Sequence, residues 1–188
     1  MPWPFLYFAG DRLSVAELCA ARLDGDLVEV GEAFMPADAV ETRELRAGSL
    51  ALSIPAGVAL ARASAAWVHG AIPDPPSRHI VQRASPRRGH AVRDPRLIHH
   101  DQRLAETEFE QIGGVAVTTP VRTLADLVRD HLADGGGLAI VDAMLAWRPE
   151  LTLATADALE AGGAVHFKRP AVQFLRARAQ AEVTRYTS

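Results

Sequence analysis

Phe109-Glu-Gln-Ile-Gly-Gly-Val-Ala-Val-Thr-Thr-Pro-Val-Arg-Thr-Leu-Ala-Asp-Leu-Val128 changes its hydrophobic period half-way along. Phe109 to Ile112 and Val115 to Val117 are short strand candidates on either side of Gly113-Gly114. A Gly-Gly pair between two such runs is a hairpin signal, because the tight turn needs backbone angles that side chains resist. From Thr119 the period becomes helical. Thr119 is a good N-cap, and Pro120 takes the first helical position, where its missing N–H costs nothing. Val121, Leu124, Ala125 and Val128 then recur at three- and four-residue spacing, so one face of this helix is buried. A hairpin running straight into an amphipathic helix marks an α+β protein.

Helices read on both sides of this unit. Downstream, Gly135-Gly-Gly137 closes the first helix, and further helices read over Leu138–Trp147, Thr152–Ala161 and Pro170 to about Tyr186. Upstream, Arg78 to Ala84 alternates as a strand, and Ala91-Val-Arg93 and Leu97-Ile98 are shorter strand candidates. Before them, Thr42–Ala51 and Ala59–Gly70 read as helices, the second with Leu60, Ala63, Trp67 and Val68 on one face. The expected fold is therefore a small mixed or antiparallel sheet packed with several helices.

A separate module precedes it. Ser14 with Glu17 three residues on is a capping box, and Val15, Leu18, Cys19 and Leu23 form an apolar stripe after it. Leu27-Val-Glu-Val30 and Ala33-Phe-Met35 flank Gly31 as a β-hairpin. Helix plus hairpin is the tail end of a winged-helix unit, with the hairpin as wing, so the division expected is 1–38 and 39–188. The apolar, Pro-containing residues up to Gly10 are read as an extended segment lying against the body and not as a secretory signal.

Composition excludes several classes. The chain of 188 residues is 48% hydrophobic and 23% charged, long enough to bury a core without metal or disulfide. Its single cysteine, Cys19, can form no internal disulfide and is read as a buried helical thiol, which suits a reducing cytoplasm. No apolar run approaches the roughly 20 residues that cross a bilayer. Neither a phosphate-binding Gly-Lys loop nor a Gly-x-Ser-x-Gly elbow is present. His99-His100-Asp101, with His79 or His90 as distal partner, and Glu106, Glu108 and Glu110 at strand spacing are the fragments that could serve a metal-dependent nuclease. Adjacent histidines on a strand point to opposite faces, so the expectation is no catalytic residue, no metal and no cofactor.

The strongest local bias is in the basic residues. Nineteen of the 20 are arginine, and seven lie between Arg78 and Arg103 against Asp94 and Asp101, a local net charge of +5 in a chain of net −3. Arginine forks match phosphate oxygens. Arg78, Arg83, Arg87, Arg88, Arg93 and Arg96, with Arg176 and Arg178 on the last helix, are the candidate nucleic-acid contacts. The alternative is that these arginines solvate the surface and offset acidic groups. Glu29 and Glu32 make the hairpin itself unsuited to a phosphate backbone.

Ala65-Ala-Trp-Val-His-Gly70, the Arg78–Arg83 strand, and Gly114-Val-Ala-Val-Thr-Thr-Pro-Val-Arg-Thr-Leu-Ala-Asp-Leu127 together resemble the common core of actinobacterial AbiEi-like proteins. That core has a small-residue helix ending in His-Gly and a Val-Thr-(Ser/Thr)-Pro-x-Arg-Thr-x-x-Asp-Leu signature. The resemblance covers roughly residues 40–147, and more weakly Leu13–Pro36. It implies a bacterial antitoxin to a nucleotidyltransferase-like toxin that also represses its own operon as a transcriptional regulator. The partners implied are operator duplex DNA or the cognate toxin protein, with no membrane. The sequence departs from the family in lacking the earlier DNA-reading helices of the winged helix. Antitoxin action by protein contact without DNA therefore stands as the alternative reading.

Overall fold

The computed structural model describes residues 5–86 and 94–186, with side chains to residue 181. Ser14 caps α1 (Val15–Asp24) with its hydroxyl on the Glu17 N–H, while the Glu17 carboxylate returns to the Ser14 N–H at 2.8 Å. Gly25, in the left-handed conformation, ends the helix. β1 (Leu27–Val30) and β2 (Ala33–Pro36) pair antiparallel, and Tyr7 bridges to Phe34 on the far side of β2. The N-terminal segment thus lies along the hairpin, as its composition suggests.

α1 departs from its expected stripe. Leu18 is buried, yet Val15 is 60% and Leu23 82% exposed, and Cys19 is half-buried. Helical periodicity marks which residues share a face; it does not say how wide a surface that face will meet. Leu18 is the one fully buried residue of α1, with Cys19 and Ala21 partly buried beside it.

Two turns lock the hairpins onto α2 (Arg43–Ser49). A Cβ on Gly31 would strike the Ser49 hydroxyl and come within 3.1 Å of the Trp67 ring; one on Gly113 would strike the Glu44 carbonyl and the Gly48 nitrogen. Both glycines also have positive φ, +53° and +55°. Only glycine satisfies both demands without strain.

The main sheet has the order β5-β4-β3-β7-β6, from β3 (Val58–Leu60), β4 (His79–Arg83), β5 (Leu97–His100), β6 (Phe109–Ile112) and β7 (Val115–Thr118). β3 runs antiparallel to β4 and parallel to β7, β4 is parallel to β5, and β6–β7 is the antiparallel Gly113-Gly114 hairpin, so the sheet is mixed. Its middle strand is a correction to the sequence reading, which put Ala59 inside a helix. The helix, α3, spans Arg62–His69. Val58-Ala-Leu60 is too short an apolar run for periodicity to tell strand from helix. The strand candidate Ala91–Arg93 lies outside the described residues.

Behind the sheet lies a helical layer of α4 (Pro120–Asp134), α5 (Leu138–Trp147), α6 (Leu151–Ala161) and α7 (Lys168–Tyr186). Two hydrophobic clusters share α3 as their wall. One gathers Leu6, Val30, Met35, Leu50, Trp67, Val68, Val81 and Val117 between the N-terminal hairpin, α2 and the sheet. The other packs Ala66 with Leu124, Val128, Val141, Met144, Leu159 and Leu175. Leu124 and Val128 are fully buried while Arg122 and Arg129 keep part of their side chains in solvent, as the helical period requires. No described helix is long and apolar enough to cross a membrane.

Candidate functional site

The Thr118–Asp126 segment is the centre of a polar cluster at the start of α4. Thr119 caps the helix, accepting from the Arg122 N–H at 3.3 Å. Behind it, Thr123 donates to the Thr118 carbonyl at 3.2 Å, and the two hydroxyls lie 2.7 Å apart. His69 Nε2 lies 2.7 Å from the same carbonyl, with its ring stacked on Trp147 at 6.0 Å. Burial pushes the His69 pKa down, so the ring is neutral and donates through Nε2. These contacts tie the end of β7 to α3, α4 and α5.

On the outer side a chain of charges runs across the helix. Arg122 donates through Nε to Asp126 at 2.9 Å and through Nη1 to Glu108 at 2.6 Å. Arg129 Nη1 donates to the other Asp126 oxygen at 3.0 Å, and its Nε reaches the His166 carbonyl at 2.7 Å. Asp126 is 1% exposed and both its oxygens are taken. Glu108 gives its second oxygen to the Ala105 N–H at 2.7 Å. Burial opposes the Arg122 charge, but Asp126 and then Glu108 outweigh it, and the guanidinium pKa lies above its ordinary value. Arg122 Nη2 is buried with no hydrogen-bond partner.

Over this chain lies a groove of about 510 Å³. Val121, Ala125, Leu159 and Val165 form apolar walls; Arg122, Asp126 and Arg129 supply the polar groups. That volume and lining are typical of a site for one small ligand or a short peptide segment. The Arg122–Asp126 pairing was legible in the sequence as a four-residue helical spacing. Glu108 and the α6 wall were not, since nothing local ties them to α4.

A second charged group borders the sheet. Arg62 has φ +53° and forms an ion pair with Asp130, and its Nη1 reaches Gln82 Oε1 at 3.4 Å. His100 stands beside Gln82 in register, its pKa lowered by burial and then by the Arg62 charge. Among the described residues the histidine and glutamate fragments do not assemble into a site, and His90 lies outside those residues. His79 is buried, 3.4 Å from the Ser64 hydroxyl, and its pKa is lowered by burial. Glu106–Glu108 is a 3-10 turn, not strand, and Glu110 faces Arg43 at 3.6 Å, so the three carboxylates do not share one strand. Among the described residues no three His, Cys, Asp or Glu side chains cluster as a metal site.

The candidate arginines among the described residues fall into two groups. Arg78, Arg83 and Arg96 lie along the β4–β5 edge. There Arg78 bonds the Pro95 carbonyl at 2.9 Å, Arg83 pairs with Asp101 at 3.1 Å, and Arg96 pairs with Glu32 and Asp94, both at 3.1 Å. Arg176 and Arg178 ride on α7. Arg176 holds Asp157 and Glu160 of α6 at 2.9 Å, and Arg178 holds Asp142 of α5 at 3.0 Å over the Phe174 ring. Arg87, Arg88 and Arg93 lie outside the described residues.

The AbiEi antitoxin C-terminal domain model matches residues 55–179, from just before β3 into α7. The solved RV2827C protein of Mycobacterium tuberculosis is 18% identical over 87% of this chain and 70% of its own, with a TM-score of 0.33. No curated protein matches. With two-thirds of its length matched, including β7, the Thr119-capped helix and the groove above it, this chain belongs to the AbiEi antitoxin C-terminal domain family.

Proposed function

We propose that the chain is a non-enzymatic cytoplasmic antitoxin that neutralises its cognate toxin by direct protein contact. The observation carrying this reading is the apolar groove over the Arg122–Asp126–Arg129 chain, which lies wholly within the antitoxin domain. The described arginines that would grip a phosphate backbone support it from the other side. Four of the five already hold carboxylates of the chain itself, so at those four a phosphate would compete with an existing ion pair. Co-expression tests it. The chain should restore growth to cells making the toxin encoded beside it, and the purified proteins should form a complex. Growth restored without any complex refutes direct contact.

The second reading, regulation of its own operon by duplex contact, draws on the +5 charge between Arg78 and Arg103. It requires Arg78, Arg83, Arg87, Arg88, Arg93 and Arg96, with Arg176 and Arg178, to meet phosphates. Binding to the upstream duplex should then weaken steeply with salt, with a log–log slope of about −0.9 per phosphate contact. An R87A/R88A variant should flatten that slope by up to about two units. No binding at low salt removes this reading and leaves the first intact.

A further inference from the structure

We propose that the Arg62–Asp130 ion pair is a proton-released latch between α3 and α4, opened when His100 takes up a proton.

The latch joins the first residue of α3 to the third turn of α4. Arg62 grips Asp130 with two prongs: Nε donates to one carboxylate oxygen, and Nη2 to the other at 3.4 Å. Nη1 turns the other way, to Gln82 Oε1 at 3.4 Å. The arginine side chain is 10% exposed and the aspartate 43%, so the pair is closed at the cation and open to solvent at the carboxylate. The Arg62 backbone has φ +53°, a left-handed conformation that a residue with a side chain keeps when its surroundings impose it. The bonds to Asp130 and Gln82 are what its side chain contributes to holding it there.

His100 stands at the closed end. It lies opposite Gln82 in parallel register, so both side chains leave the sheet on the face that Arg62 reaches. The charges acting on it are Arg62 from α3, then Asp130 and Asp126 from α4. Asp126 is already held by Arg122 and Arg129. A neutral imidazole carries nothing to oppose Arg62. An imidazolium repels Arg62 and attracts Asp130, the two halves of the same fork. Burial first, and Arg62 second, hold the proton off His100. The coupling is reciprocal: Arg62 in place disfavours the proton, and the proton disfavours Arg62 in place. Asp130 stays ionised meanwhile, since an ordinary aspartate protonates only near about pH 3.9. The opened latch leaves α3, which lines both hydrophobic clusters, without its charged tie to α4.

A double-mutant cycle of R62M and D130N, read as urea unfolding constants of the full chain, measures the tie. At pH 7.5 the coupling should be about tenfold in the folding constant, and at pH 5.0 less than about twofold. In an H100Q background it should keep its pH 7.5 size at both pH values. NMR of the His100 ring gives the midpoint that the loss must follow. Equal coupling at both pH values in the His100 chain overturns the latch. So does an equal loss in H100Q, or a His100 ring that takes no proton above pH 5.0. Should R62M not fold, the Arg62 Nε–H resonance of the unmutated chain replaces the cycle. It should exchange slowly with water at pH 7.5 and lose that protection as His100 protonates; protection kept at pH 5.0 overturns the latch.

Discussion

Replacing Asp126 with alanine should destabilise the chain by about 3–4 kcal/mol. The carboxylate is 1% exposed and accepts one bond from each of two arginines whose side chains are 12% and 15% exposed. Removing one partner of a buried ion pair typically costs about 3–5 kcal/mol, because the remaining charge stays buried without compensation. The lower part of that range applies because Arg122 keeps Glu108 and Arg129 keeps the His166 carbonyl. For a chain of 188 residues the entropy of unfolding is about 0.4 kcal/mol per degree, so Tm should fall by about 8–10 °C. Differential scanning calorimetry measures it, with urea unfolding as a second route to the free energy. The reasoning also sets the coupling. In an R122M background the same D126A change strands one guanidinium instead of two, so its cost should fall to about half. A Tm drop below 2 °C for D126A, or an undiminished cost in the R122M background, would refute the charge chain as a structural unit.

Three further outcomes follow from the same contacts. G113A should cost about 2–4 kcal/mol, combining a left-handed backbone with a clash against α2, whereas G114A, with open space around its Cβ, should cost about 1–2 kcal/mol for the backbone alone; urea midpoints that put G114A at or above G113A would contradict this. His69, His79 and His100 all have pKa values pushed below 6.5, chiefly by burial, so the unfolded chain binds more protons and stability falls as pH drops through 6.5 toward the folded values. Tm should therefore decline between pH 7.5 and 5.5, and H69Q should flatten part of that decline; a Tm that rises on acidification would reverse the sign. L124A should cost about 3–5 kcal/mol, since Leu124 is fully buried in the helical layer, while L23A on the exposed end of α1 should change stability by less than about 0.5 kcal/mol.

Much of the local structure was readable from the chain alone. The Ser14–Glu17 box, the hairpins about Gly31 and Gly113-Gly114, the Thr119 cap and the span of α5 each depend on residues a few positions apart. Steric and hydrogen-bonding preferences act at that range. The Arg122–Asp126 pair belongs with them, because four residues is one helical turn. What tertiary structure decided lies at longer range. Val58-Ala-Leu60 became the central strand only because β4 and β7 flank it on both sides. The α1 stripe stayed largely exposed, with Leu18 its one fully buried residue. The candidate arginines reveal a charge excess in sequence, yet Glu32, Asp142, Asp157 and Glu160 come to them from distant segments. The groove needs α6 and the 162–165 segment brought over α4, with Arg129 reaching the His166 carbonyl 37 residues along. Periodicity and capping describe how a segment prefers to fold, whereas the partner of a buried face or of a charge is set by packing between segments that share no local signal.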